Sequence, residues 1–132
     1  MAIQAQGTVN VNGTPTCMGR IANYLGEVIA RADIASIVYT IYALASPPSR
    51  ATRTAVTGHT GVAVTVADAM PASLAVPTAW TEDAIGCNFI HTIPIDTTAA
   101  FTDPLTQYVV EYTLTPTSGQ KIIASFLIST LH

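Results

Sequence analysis

The side chains in this chain that could do chemistry are two cysteines, Cys17 and Cys87, three histidines, His59, His91 and His132, and eight carboxylates. A nucleophilic cysteine needs a base or a cation beside it to become a thiolate. Cys87 precedes His91 by four residues, which on a strand puts both on one face but about 13 Å apart. That separation is too large for a thiol–imidazole pair within one strand, and no basic residue adjoins either thiol in the sequence. Both cysteines therefore read as small buried thiols. Without a secretory segment the compartment is reducing, so they are expected to be free rather than bridged.

Metal and phosphate chemistry are equally thin. No C-x-x-C or H-x-x-x-H spacing occurs, and nothing in the sequence points to a metal or a cofactor. His91 and Asp96 are separated by Pro94 and fall at opposite ends of one strand. His91 shares a strand face with Phe89 and Ile93, the position of a hydrogen-bonded core or interface histidine. Glu82 and Asp83 lie beside Trp80 in "AWTEDAIG" and read as a solvated turn. A glycosidase would need a second placed carboxyl across a cleft. "TGHTG" around His59 lacks the lysine and following helix of a phosphate loop, and suits a tight turn. Trp80 reads as a packing anchor at a rim, with carbohydrate stacking as its alternative.

The elements that must position these residues are strands. "ASIVYTIYAL", 35–44, is rich in β-branched and aromatic residues and puts Ile37, Tyr39 and Ile41 on one face. "YVVEYTL", 108–114, puts Tyr108, Val110, Tyr112 and Leu114 on one face. "TPTSG" then turns the chain into "QKIIASFLIS", which carries Phe126. Further strands are expected at 8–12, at 17–25, across "GVAVTVAD" at 61–68, and across "CNFIHTIPI" from 87. "SPPSRATRT" and "DTTAAFTDPLTQ" read as loops. About seven short strands with turn residues between them predict an all-β, immunoglobulin/fibronectin-like antiparallel β-sandwich. Tyr108 follows "DPLTQ" at the start of the penultimate strand. There it is placed to form a tyrosine corner, its hydroxyl bonded to the backbone of the preceding loop.

With 132 residues the chain is one domain long. Five basic and eight acidic residues leave a net charge of −3, which does not supply the basic stripe that nucleic acid requires. Charged residues make up 10% of the chain and mean hydropathy is +0.42, against about 25% charged in ordinary globular proteins. The apolar stretches are strand-length, so no membrane-spanning helix is expected. "MAIQAQGTVNVNG" has neither the basic start nor the apolar core of a signal peptide, so synthesis in the cytosol is expected. What remains is a protein whose uncharged outer surface is covered by neighbours in an assembly. The final strand has Lys121 at its start and no charge after it. If it lies at a sheet edge it invites pairing with another chain; the alternative is that the chain's own N-terminal segment covers it. Ile123, Leu127 and Trp80 are the candidate interface residues.

"ADIASIVYTIYAL", "TGHTGVAVTV", "WTEDAIGCNFIHTIP" and "YVVEYTLTPTSGQKIIASFLI", spanning about 22–128, together resemble small immunoglobulin-like structural proteins of tailed bacteriophages and prophages. The shared pattern is one of strand residues and not of catalytic ones. The resemblance implies a non-enzymatic virion component: a capsid decoration protein, a neck or head–tail connector, or a tail-associated protein. Its partners would be other virion proteins and further copies of itself, with no nucleic acid or membrane involved. Residues 1–20 fall outside the match and read as an arm or a first strand, with the sandwich at 21–132. From a different class comes an immunoglobulin-like module that recognises a host glycan or protein through the long loops at 46–57 and 70–86.

Overall fold

The computed structural model describes residues 2–9, 15–22, 27–44, 53–77, 84, 86–94, 100–103 and 106–130. These form eight strands: β1 (Ala2–Val9), β2 (Thr16–Gly19), β3 (Ile34–Ala43), β4 (Thr54–Ala55), β5 (Val62–Val64), β6 (Phe89–Thr92), β7 (Gln107–Pro116) and β8 (Ile122–Thr130). One sheet has six strands in the order β1-β8-β7-β3-β4, with β5 also on β3; the other is the pair β2-β6. The architecture is an all-β sandwich. β4 and β5 lie along the same side of β3, both antiparallel to it, and are separated by a loop. Counted as one interrupted strand, they bring the total to the seven the sequence suggested.

The order β8-β7-β3-β4 is the one that the G, F, C and C′ strands take in immunoglobulin variable-type sheets, with β2 and β6 in the B and E places. The sandwich is not wholly antiparallel, because β1 runs parallel to β8 over eight register positions, Ala2↔Ile123 to Val9↔Thr130. β8 is therefore an interior strand, bonded to β7 on one side and to β1 on the other. That corrects the expectation that it could be an open edge: the chain's own N-terminal strand covers it.

Period-2 alternation explains the long strands. On the inner face Ile37, Tyr39 and Ile41 of β3 stand opposite Leu114, Tyr112 and Val110 of β7. Tyr112 and Val110 in turn stand opposite Ala124 and Phe126 of β8. All eight of these side chains are buried, as are Tyr108, Phe89 and Ile128. The β7–β8 turn passes through Gly119 at φ 98, a conformation open to glycine without strain.

Elsewhere alternation misleads. "GVAVTVAD" does not stay extended to Asp68: β5 stops at Val64 and Val66–Ala69 make a single helical turn, α1. Val64 is the last of three residues paired to β3. Beyond it the ladder ends and the chain turns so that Ala69 and Met70 enter the core. The first described strand is Ala2–Val9; residues 10–12 of the strand expected at 8–12 lie outside the described residues. Thr54–Ala55, read as loop, pairs with β3. The expected strand at 17–25 ends at Gly19, followed by an isolated bridge from Ala22 to Val28. Ala100 and Phe101, in a segment read as loop, are fully buried.

The two faces of β8 give a direct test of this register. Phe126→Ala should lose about 3–5 kcal/mol of unfolding free energy, the usual cost of emptying a buried aromatic site. Ile123→Ala, on the outer face, should lose less than about 1 kcal/mol. Urea denaturation of both variants checks the register, and equal losses would contradict it.

Candidate functional site

The residues with chemistry converge between the two sheets. Tyr39 and Tyr112 are cross-strand partners on the large sheet. Facing them are Cys17 and His91, cross-strand partners on the small sheet. The hydroxyl of Tyr112 lies 2.7 Å from Nδ1 of His91, and the Cys17 thiol lies near enough to shift its titration. Tyr39 bonds Nδ1 of His59 at 2.8 Å. The rings pack closely. Phe89 meets Tyr112 edge-on at 4.7 Å, His91 meets it edge-on at 5.4 Å, and Phe126 meets it edge-on at 5.6 Å. Tyr39 lies 5.6 Å from His91 and 5.8 Å from Tyr112.

Sequence spacing excluded a Cys87–His91 pair, and the thiol beside His91 is in fact Cys17. Strand pairing between β2 and β6 creates that neighbourhood, and no local pattern announces it. Its electrostatics run against nucleophilic use. Burial pushes the Cys17 thiol up to about 12, a rise that the nearby Tyr112 hydroxyl only partly offsets. Burial lowers His91 below 6.5, with the Asp68 carboxylate acting in the opposite sense. The proton therefore stays on sulfur and the imidazole stays neutral, the reverse of the thiolate–imidazolium couple of cysteine catalysis. Desolvation raises Tyr39, Tyr112 and Cys87 as well. Both cysteines are buried free thiols.

In antibody domains a disulfide joins the B and F strands at this point, against a large aromatic on strand C. Here the Tyr112–His91 hydrogen bond joins β7 to β6, with Cys17 the cross-strand partner of His91 on β2, and Tyr39 of β3 packs beside it. Tyr108 forms the corner that its position suggested, its hydroxyl accepting the Asp103 N–H at 3.1 Å. Phe101 packs edge-on against its ring at 5.1 Å. Thr130, near the end of β8, ties the same corner by donating to the Asp103 carbonyl at 2.6 Å and accepting the Thr106 N–H at 2.9 Å.

A second anchor escaped the sequence. Asn88 is buried and uses its whole amide: Oδ1 accepts the Ile21 N–H at 2.7 Å, and Nδ2 donates to the carbonyls of Ile21 and Ile29 at 2.9 and 2.8 Å. An asparagine beside Phe89 resembles any turn residue until its partners are known. Next to it Gly86, at φ 101, leaves no room for a Cβ, which would stand 2.4 Å from the Ala75 carbonyl oxygen.

Of the interface candidates, Ile123 is exposed and Leu127 half-buried. Trp80, Glu82, Asp83, Ile95, Asp96 and His132 lie outside the described residues, as do parts of both long loops. Among the described residues no three His, Cys, Asp or Glu side chains are grouped to hold a metal, and no helix is long and apolar enough to cross a membrane. The class defined by fold and centre is thus a disulfide-free β-sandwich with a neutral polar core. Comparison with protein families, with curated proteins and with solved structures gave no match to this chain.

Two outcomes are expected. An unfolded histidine titrates near 6.5 and the folded His91 lower. Between those values the unfolded chain binds a proton that the folded chain refuses. His91's contribution is therefore intact above about pH 6.5 and is lost as pH falls through the folded value. Urea midpoints should drop from about pH 7.5 to about pH 5, and the drop should be shallower in His91→Gln; an identical drop would contradict the buried neutral imidazole. Asn88→Ala should destabilise by about 2–3 kcal/mol, because the Ile21 N–H and the Ile29 carbonyl lose the amide while the Ile21 carbonyl keeps only the Ile29 N–H; chemical denaturation measures this.

Proposed function

We propose that this chain is a non-enzymatic structural protein of a tailed-bacteriophage particle, working by protein–protein assembly as a capsid decoration, neck, head–tail connector or tail-associated component. The sequence resemblance supplies the setting. The physical support is where the charge lies. Among the described residues, the eight strands contain one Asp, Glu, Lys or Arg, Glu111. Even that carboxylate is neutralised, by Arg53 at 2.7 Å, whose guanidinium also sits 4.0 Å above the Tyr42 ring.

On the outer face of the large sheet the register sets Ala63, Val38, Thr113 and Ile123 in one row across four strands. Val38 is 36% exposed and Ile123 39%. A soluble monomer usually intersperses charge over such a face for solubility; a subunit whose face meets a neighbour has no such need, and charge is depleted at interface centres. Symmetric particles hold many copies of one chain, so weak, uncharged contacts are summed over many interfaces. The partners in this reading are other virion proteins and copies of this chain, and the chain resides in the particle after synthesis in the host cytoplasm.

Light scattering on a sizing column over a concentration series tests the reading. The wild-type mass should rise above that of one chain, and Val38→Lys with Ile123→Lys should lower it with little change in melting temperature. A wild-type chain that stays monomeric throughout, or a double variant that assembles unchanged, contradicts the proposal.

A further inference from the structure

Every strand has two hydrogen-bonding sides. Because β8 is bonded on both, the open sides of the large sheet fall to β1 at one end and to β4 and β5 at the other. These two ends are guarded very differently. β4 has two residues and β5 three, and between them the chain bulges away from β3, both the Val56 N–H and the His59 carbonyl being tied to Ile41. A short, broken edge of that kind is one of the devices that prevent strand addition. β1 has none of these devices. Its eight residues, "AIQAQGTV", include no Asp, Glu, Lys, Arg or Pro, and its register on β8 runs from Ala2 to Val9 without a bulge. About half of its N–H and C=O groups point away from β8, as in any extended strand, and no strand among the described residues pairs with that side.

We propose that β1 is the assembly edge of this protein, pairing antiparallel with β1 of a second copy about a two-fold axis and joining two large sheets into one. The inference rests on the assembly reading above and adds an edge contact at β1 to the face contact around Val38 and Ile123. Self-pairing is favoured over head-to-tail pairing because the edge at the other end offers no continuous ladder for β1 to join. An isologous contact also sets the strand against itself, so any charge near the axis would meet its own copy; β1 carries none. A pairing centred between Ala5 and Gln6 would set Ala5 opposite Gln6 and Gln4 opposite Gly7.

Cysteine cross-linking in the full chain tests this, since Cys17 and Cys87 are buried. Gln4→Cys, Ala5→Cys, Gln6→Cys, Val9→Cys and, on the sheet face, Ile123→Cys are oxidised separately and run on a non-reducing gel, with the mass of the wild type measured in parallel. A disulfide-linked dimer that peaks at one central β1 position and is at least tenfold weaker at Val9→Cys is the expected result. An oligomeric wild type in which Ile123→Cys cross-links and the β1 cysteines do not would overturn β1 as the edge while leaving assembly in place. Equal cross-linking along all of β1 would overturn the two-fold ladder. A monomeric wild type without β1 cross-links would overturn both the edge and the assembly reading.

Discussion

Tyr112 is the side chain on which the sandwich turns. It stands at the centre of β7, pairs with Tyr39 and Ala124 within its own sheet, and reaches across to Cys17 and His91 in the other. Three aromatic or imidazole rings meet it edge-on, the arrangement that the ring quadrupoles favour. A phenol in that position must have partners, because an unsatisfied buried hydroxyl costs about 1–3 kcal/mol. The small sheet provides them only in one register, with Cys17 opposite His91. Hydrogen bonds of this kind thus do for alignment what a disulfide does for antibody domains, without a covalent link. Their net gain is smaller, about 1 kcal/mol each against about 2–4 for a disulfide, so more of the stability must come from the apolar packing around them.

Sequence legibility follows from how far a signal has to travel. The β7–β8 hairpin was readable because alternation, a "TSG" turn and strand-forming residues all act within a few residues of one another. Tyr108 was readable for the same reason, since its partner Asp103 is five residues away. β3 was readable because a run such as "IVYTIY" suits a half-buried pleat. The centre of the site was not. Cys17 meets His91, and Asn88 meets Ile21 and Ile29, across about half the length of the chain, and neither meeting leaves a local trace. Alternation also failed where the ladder ended: Val62, Val64 and Val66 are identical in sequence, but only the first two lie on β5, and Val66 begins α1. The position of β1 escaped because glutamine and glycine dilute its pattern, while its partner β8 looked like an ordinary final strand.

Removing charge from every strand but one has consequences at two levels. Within the subunit it lets faces pack without desolvating ions, and the Arg53–Glu111 pair is a surface bridge of the kind worth about 1 kcal/mol or less. Outside the subunit it removes the repulsion that keeps sheets apart. Exposed, uncharged strands are a hazard for a monomer and an economy for a subunit, because the same neutral surface serves as interior once neighbours arrive.

The parallel pairing of β1 with β8 decides which strand carries the open side at that end of the sheet. Had the N-terminal strand joined the small sheet beside β2, β8 would be an edge of nine residues, ending at the corner that Tyr108 and Thr130 tie down. Pairing there would have drawn on the same backbone that holds the core. By lying on β8, β1 moves the open ladder one strand away from Phe126, Tyr112 and the buried hydrogen bonds. In the proposed pairing, a contact made at β1 would form or break while the inner face of β8 stays packed, so that assembly and folding would make demands on different strands. The break between β4 and β5 closes the opposite end of the sheet to the same kind of addition. With β1 pairing as proposed, the two ends together would favour a closed pair over an open fibre.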